Sequence, residues 1–213
     1  HEECKGRHGL TPAAYMEKHG IFDSPTTAAH CVWLEDEDFD ILKRHGVTVA
    51  CCPASNLKLA SGYANVPKML ESGINVALGT DGAASNNNLN IMQDMYLFGV
   101  VYKGYFRDPT IITPAEVLHA ATRAGALSQG RDDSGLLAVG MRADLCVLNT
   151  DTPQFTPMTS AACNVVYAAQ GADIRMTMVD GEVLYRDGEF KTIDIEKVKA
   201  EVQRRTDSIL SRL

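Results

Sequence analysis

Residues 74–81, Ile-Asn-Val-Ala-Leu-Gly-Thr-Asp ("INVALGTD"), decide the fold. A short apolar run ends in Gly79-Thr80 and delivers one carboxylate, Asp81, into the small and amide residues of "GAASNN". Two earlier stretches share this texture: "TTAAHCVWL" (26–34) and "VTVACCP" (47–53). All three are continuous rather than alternating in their apolar residues, as strands covered on both faces are. Helical segments separate them, "EDEDFDILKRHG" after the first and "VPKMLESG" before the third. Strand and helix alternating at these spacings predict parallel pairing with right-handed crossovers, in a barrel or a doubly wound sheet. In either fold, chemistry collects just past the C-terminal ends of the strands. Those positions carry His30, the "CCPASN" loop and Asp81.

Working outward, "TPAAYMEKHG" predicts a helix capped by Thr11, with Pro12 at its first position and Gly20 beyond its end. The segments "NLNIMQDMYLFGVVYKG" and "TPAEVLHAATRAGALSQG" predict two longer helices after Asp81. Beyond about residue 135, "GMRADLCVLNT", "NVVYAAQ" and "IRMTMVDGEVLYRDGEF" predict strands of a smaller antiparallel module, with Asp180-Gly181 as a two-residue hairpin turn. "DIEKVKAEVQRRTDSILSRL" reads as a closing amphipathic helix. The expected organisation is an α/β unit over 1–135, a small β module over 136–190 and a C-terminal helix over 191–213.

The chain has 213 residues, 45% hydrophobic and 22% charged, with a formal net charge of −7. That balance gives no basic surplus for a nucleic-acid backbone. No apolar run reaches membrane-spanning length. The six cysteines show neither CxxC spacing nor disulfide-scaffold density, which points to a reducing cytoplasm, and the apolar, strand-like settings of Cys31 and Cys146 make those two small buried hydrophobes. Cys51-Cys52 invites a thiol-enzyme reading, but no cation or helix N-terminus is evident to lower a thiol pKa. "HEE" at 1–3 matches half of a zinc deaminase signature whose P-C-x-x-C half is absent.

Taken alone, Asp81 serves as a metal ligand, a proton acceptor, a helix cap or an Asp-Gly turn residue. His30 alone is a hydrogen-bonded core residue or a ligand. Together they are more specific, both being polar ends of separate strands in one sheet. Two such groups still fall short of the three or four protein ligands of a zinc site.

The segments "AAHCVWL", "CCPASNLKLASG", "GINVALGTDGAASNNNLNIMQDM", "HAATRAGALSQG" and "GMRADLCVLN" resemble, in order, those of the amidohydrolase superfamily. Within it they are most similar to the 5-methylthioadenosine/S-adenosylhomocysteine deaminases, with chlorohydrolases and guanine or cytosine-type deaminases as alternatives. The resemblance implies the C-terminal part of a TIM (β/α)8 barrel, strands six to eight, with part of a small β-sandwich domain. It implies a divalent metal, one zinc ion, with Asp81 as ligand and proton shuttle. His30 would contact the attacking water or substrate, and Asn56 and Ser85 would join Asp81 and His30 around a purine nucleoside. The family's H-x-H and H-x-x-E motifs are not found, and Cys51 stands where the family often has His. The chain is therefore expected to be a C-terminal half, inactive alone, that pairs with the missing N-terminal half or with copies of itself.

Overall fold

The computed structural model describes residues 1–213. Two short helices, α1 (Glu2–His8) and α2 (Pro12–Lys18), lead into strand β1 (Thr27–Ala29). Helix α3 (Asp36–Arg44) crosses to β2 (Thr48–Cys51), and α4 (Pro53–Lys58) and α5 (Val66–Glu71) cross to β3 (Val76–Leu78). The strands form a parallel sheet in the order β1-β2-β3, with Ala28 beside Val49 and Val49 beside Val76. Then follow α6 (Ala83–Asn86), α7 (Ile91–Phe106), α8 (Pro114–Ala121) and α9 (Arg123–Ser128). The remainder comprises β4 (Leu145–Leu148), α10 (Ala161–Tyr167), β5 (Ile174–Val179), β6 (Glu182–Arg186), β7 (Glu189–Phe190) and α11 (Ile195–Leu210). Strands β4 to β7 make a second, antiparallel sheet.

Local chemistry sets the helix starts. The Thr11 hydroxyl accepts the Ala14 N–H at 3.2 Å, with Pro12 at the first helical position. Glu35 and Asp38 cap α3 reciprocally, as Thr113 and Glu116 cap α8. The helices pack on the parallel sheet through one apolar cluster that includes Val49, Val66, Met69, Phe98 and Val117, all fully buried. Each such side chain contributes roughly 1.5–3 kcal/mol relative to leaving it in water. No helix is long and apolar enough to cross a membrane.

Four expectations need correction. The strand expected at "NVVYAAQ" is helix α10, whose start is capped by the Ser160 hydroxyl at 3.3 Å from the Cys163 nitrogen. Its Val166 and Tyr167 lie against Gly99 of α7, where a Cβ would approach them to 3.3 and 3.0 Å, so tertiary packing overrides β propensity. The single helix expected over 113–130 is broken at Thr122 into α8 and α9. Strand β1 is not covered on both faces: Thr27 and Ala29, which share one face of the strand, are exposed. Cys146 is exposed rather than buried, on an open face of β4.

Candidate active site

At the C-terminal ends of the three parallel strands the backbone turns sharply. His30 and Cys31 after β1 have φ of 67° and 46°, and Asp81 after β3 has φ of 60°. Side chains rarely adopt this left-handed region, and such strain gathers at working sites. After β2 the chain enters α4 instead, with Pro53 fixing its first turn. This places Ser55 and Asn56, both buried, between the other two strand ends.

These neighbours hold one candidate each. The Ser55 hydroxyl donates to Asp81 Oδ2 at 2.7 Å, and Asn56 Oδ1 accepts from His30 Nδ1 at 2.9 Å. His30 Nε2 is then left 3.8 Å from Asp81 Oδ2, beyond hydrogen-bond length. With its Nδ1 proton committed to Asn56, His30 presents Nε2 as its free nitrogen. The other Asp81 oxygen accepts the Gly82 N–H at 2.7 Å. Ser85, in α6, donates to the Gly82 carbonyl at 3.0 Å and lies close enough to help keep Asp81 ionised. The Ser55 hydroxyl foremost, then Ser85 and the Gly82 N–H, lower the Asp81 pKa to about 2. The pair opens on a cleft of about 450 Å³ walled by Val32, Trp33 and Leu59, with Ser55, Asn56 and Ser61.

Of the predicted site residues, His30, Asn56 and Asp81 converge on this cleft, and Ser85 stands just behind the Asp81 loop. Sequence reasoning missed Ser55 as the residue that holds Asp81. Its signal was a small hydroxyl next to an amide in the first turn of a helix begun by proline.

Asp81 suits a divalent cation as an oxygen donor: it is anionic, its side chain is 31% exposed, and its Oδ2 faces an imidazole without bonding to it. No three His, Cys, Asp or Glu side chains of the chain are placed so that they could hold a metal ion together, so His30 and Asp81 fit a metal as part of a donor set rather than a whole one.

Residues 1–184 match the Amidohydrolase family. The 5-methylthioadenosine/S-adenosylhomocysteine deaminase of Dictyoglomus thermophilum is 41% identical over 211 residues, 99% of this chain and 50% of that protein. The 5'-deoxyadenosine deaminase of Methanothermobacter thermautotrophicus is 43% identical over 192 residues, 90% of this chain and 45% of that protein. Among solved structures, an adenosine deaminase from Xanthomonas campestris with bound zinc superposes at a TM-score of 0.95 with 28% identity, over 99% of this chain and 48% of that one. The chain spans about half the length of the curated relatives it matches. A match over most of the sequence, together with an acid and an imidazole at the ends of two strands of one parallel sheet, places the chain in the amidohydrolase family.

Proposed function

We propose that this chain carries one side of the active site of a zinc-dependent hydrolytic deaminase acting on adenosine-type nucleosides. The observation that carries the reading is the clamp on α4: adjacent residues, Ser55 and Asn56, bring a carboxylate and an imidazole together at the rim of one cleft. Deaminases among the relatives support the substrate class. The strands would be six to eight of a (β/α)8 barrel, and the polypeptide that completes it would be the N-terminal half of the family sequence.

The zinc ion would be held through Asp81 and donors from that other half, and when bound it supplies the Lewis acidity that makes water nucleophilic at neutral pH. Asp81 accepts the proton that water loses as its oxygen bonds to the amino-bearing ring carbon. It then returns that proton to the amine as the C–N bond breaks and ammonia leaves. His30 Nε2 accepts a hydrogen bond from the attacking water when neutral and donates one to the oxygen when protonated. Asn56 fixes which His30 nitrogen does so. Asn56 would orient the nucleoside in the cleft, Ser85 would act on it only through the Gly82 carbonyl of the Asp81 loop, and Val32, Trp33 and Leu59 would offer it an apolar wall.

The test is complementation with the half of the Dictyoglomus protein that this chain does not match. Alone, the chain is expected to hold zinc weakly and to turn over no methylthioadenosine; tight stoichiometric zinc with turnover would contradict that. In the complemented protein, Asp81→Asn is expected to abolish turnover and weaken zinc, whereas His30→Ala loses turnover and keeps zinc. Equal zinc loss in both variants places His30 among the ligands and overturns its assignment. A fully zinc-loaded complex inert toward every adenosine-type nucleoside overturns the substrate class.

A further inference from the structure

Behind the His30–Asp81 pair lies a second carboxylate that no solvent reaches. Asp94, in the first turn of α7, is 1% exposed. Its Oδ1 accepts the Ala54 N–H at 3.2 Å, and its Oδ2 accepts an Asn86 amide hydrogen at 3.1 Å. The Asn86 amide also donates to the Thr80 carbonyl at 2.8 Å. No cation faces Asp94; burial pushes its carboxyl above the usual range, and the two N–H donors only partly offset this. A buried carboxyl without a cation is costly, and an apolar side chain would fill the space more cheaply.

What the carboxyl reaches explains its presence. Ala54 is the residue before the Ser55–Asn56 clamp, and its N–H is one of the donors that the start of a helix leaves without a partner. Thr80 is the residue before Asp81. One oxygen of Asp94 therefore ties down the helix that grips both members of the pair, and the other, through Asn86, ties down the strained loop that carries one of them.

We propose that Asp94 is a positioning residue: acting through Ala54 on one side and Asn86–Thr80 on the other, it sets the separation between the His30 imidazole and the Asp81 carboxylate. The assignment rests on reading these two residues as the working pair, but its test reads geometry rather than turnover, so either can fail without the other.

The experiment uses the 213-residue chain, folded and well below its unfolding midpoint, with ¹³C and ¹⁵N signals followed at the Asp81 carboxyl and the His30 ring. Asp94→Asn puts an amide N–H against one of the two donors. It is expected to move both sets of signals by more than a linewidth and to speed exchange of the Ala54 amide about tenfold. The comparison is Asp173→Asn, which removes another buried carboxyl, one that accepts Gln154 Nε2 and the Gln170 N–H at 2.8 Å each. It is expected to lower the unfolding midpoint and leave the pair's signals in place. If Asp94→Asn lowers the midpoint while the signals stay unmoved, Asp94 is a structural group only and the proposal fails. If that variant does not fold, Asn86→Ala cuts the Thr80 arm alone: a moved Asp81 signal supports the proposal, and an unmoved one overturns it.

Discussion

Cys51 and Tyr102 share a hydrogen bond of 3.1 Å in the floor of the molecule, where neither meets solvent. Burial pushes the Cys51 thiol up to about 12 and the Tyr102 hydroxyl well above its ordinary value, with the neighbouring Cys52, Cys31 and Asp94 adding to the rise at Cys51. The sign of the consequence follows from linkage. In the unfolded chain the thiol ionises near pH 8.5–9, whereas the folded chain keeps its proton to about pH 12. The unfolded state thus binds fewer protons across that window, and stability falls as pH rises through it. The urea midpoint is expected to hold from pH 7 to 8 and to drop steadily by pH 10.5; a flat profile would mean that the thiol is not confined as described. Access sets the order of labelling: Cys146 and Cys163, both exposed, should react with a thiol reagent at pH 8 well before the buried Cys51.

The elements legible in the sequence were those whose own residues dictate them. Thr11-Pro12, Thr113-Pro114 and the left-handed Asp180-Gly181 pair at φ 52° and 81° each impose a start or a turn wherever the chain lies. The strand ends that carry His30 and Asp81 were legible for a similar reason: an apolar run stopping on a lone polar group marks where a parallel sheet meets solvent. What stayed hidden depends on distant partners. Nothing near Ser55 or Asp94 announces that one reaches Asp81 and the other reaches Ala54 and Asn86, because those contacts span from 8 to 40 residues. The break at Thr122 is of this kind. Arg123 Nη1 donates to the carbonyls of Asp132 and Ser134 at 2.9 and 2.6 Å, drawing the following loop across the helix. Gly135, at φ +82°, lies so close that a Cβ there would come within 2.7 Å of the Arg123 Cα and 3.0 Å of the Thr122 oxygen. Gly135→Ala meets backbone that cannot swing aside, besides the strain of a positive φ. It is expected to cost about 2–4 kcal/mol, measured as a lower urea midpoint with an unchanged slope. A loss under about 0.5 kcal/mol, the range of ordinary surface changes, would mean that the loop is free to lift and does not cause the break.

At the scale of the whole molecule the parallel sheet is open at its β1 edge. Strand β1 pairs with β2 on one side only, and beside it runs an apolar groove of about 440 Å³ lined by Met16, Phe22, Ala29, Trp33 and Leu34. An edge strand next to uncovered apolar surface is a template for another chain. Trp33, the single tryptophan and 67% exposed, reports on this surface directly, since it stands between the groove and the cleft of the His30–Asp81 pair. When the chain is alone and dilute, its fluorescence should be that of a solvated indole. As concentration rises, the emission should shift to the blue together with the sedimentation coefficient, as second copies cover the groove. Two substitutions separate the ways this can happen. The His30 N–H is bonded to Ala50 of β2, so by the two-residue period of a strand the Ala29 N–H points to the open side. Ala29→Pro deletes that outward donor and keeps the β2 ladder, so it should stop association by strand addition. Met16→Lys places a charge on the face of the groove and should stop association by apolar docking. Loss of the concentration dependence in the first variant but not the second assigns the contact to the strand edge, and the reverse assigns it to the groove. Emission and sedimentation that do not change with concentration in the unmodified chain would show that copies of it leave the open edge alone.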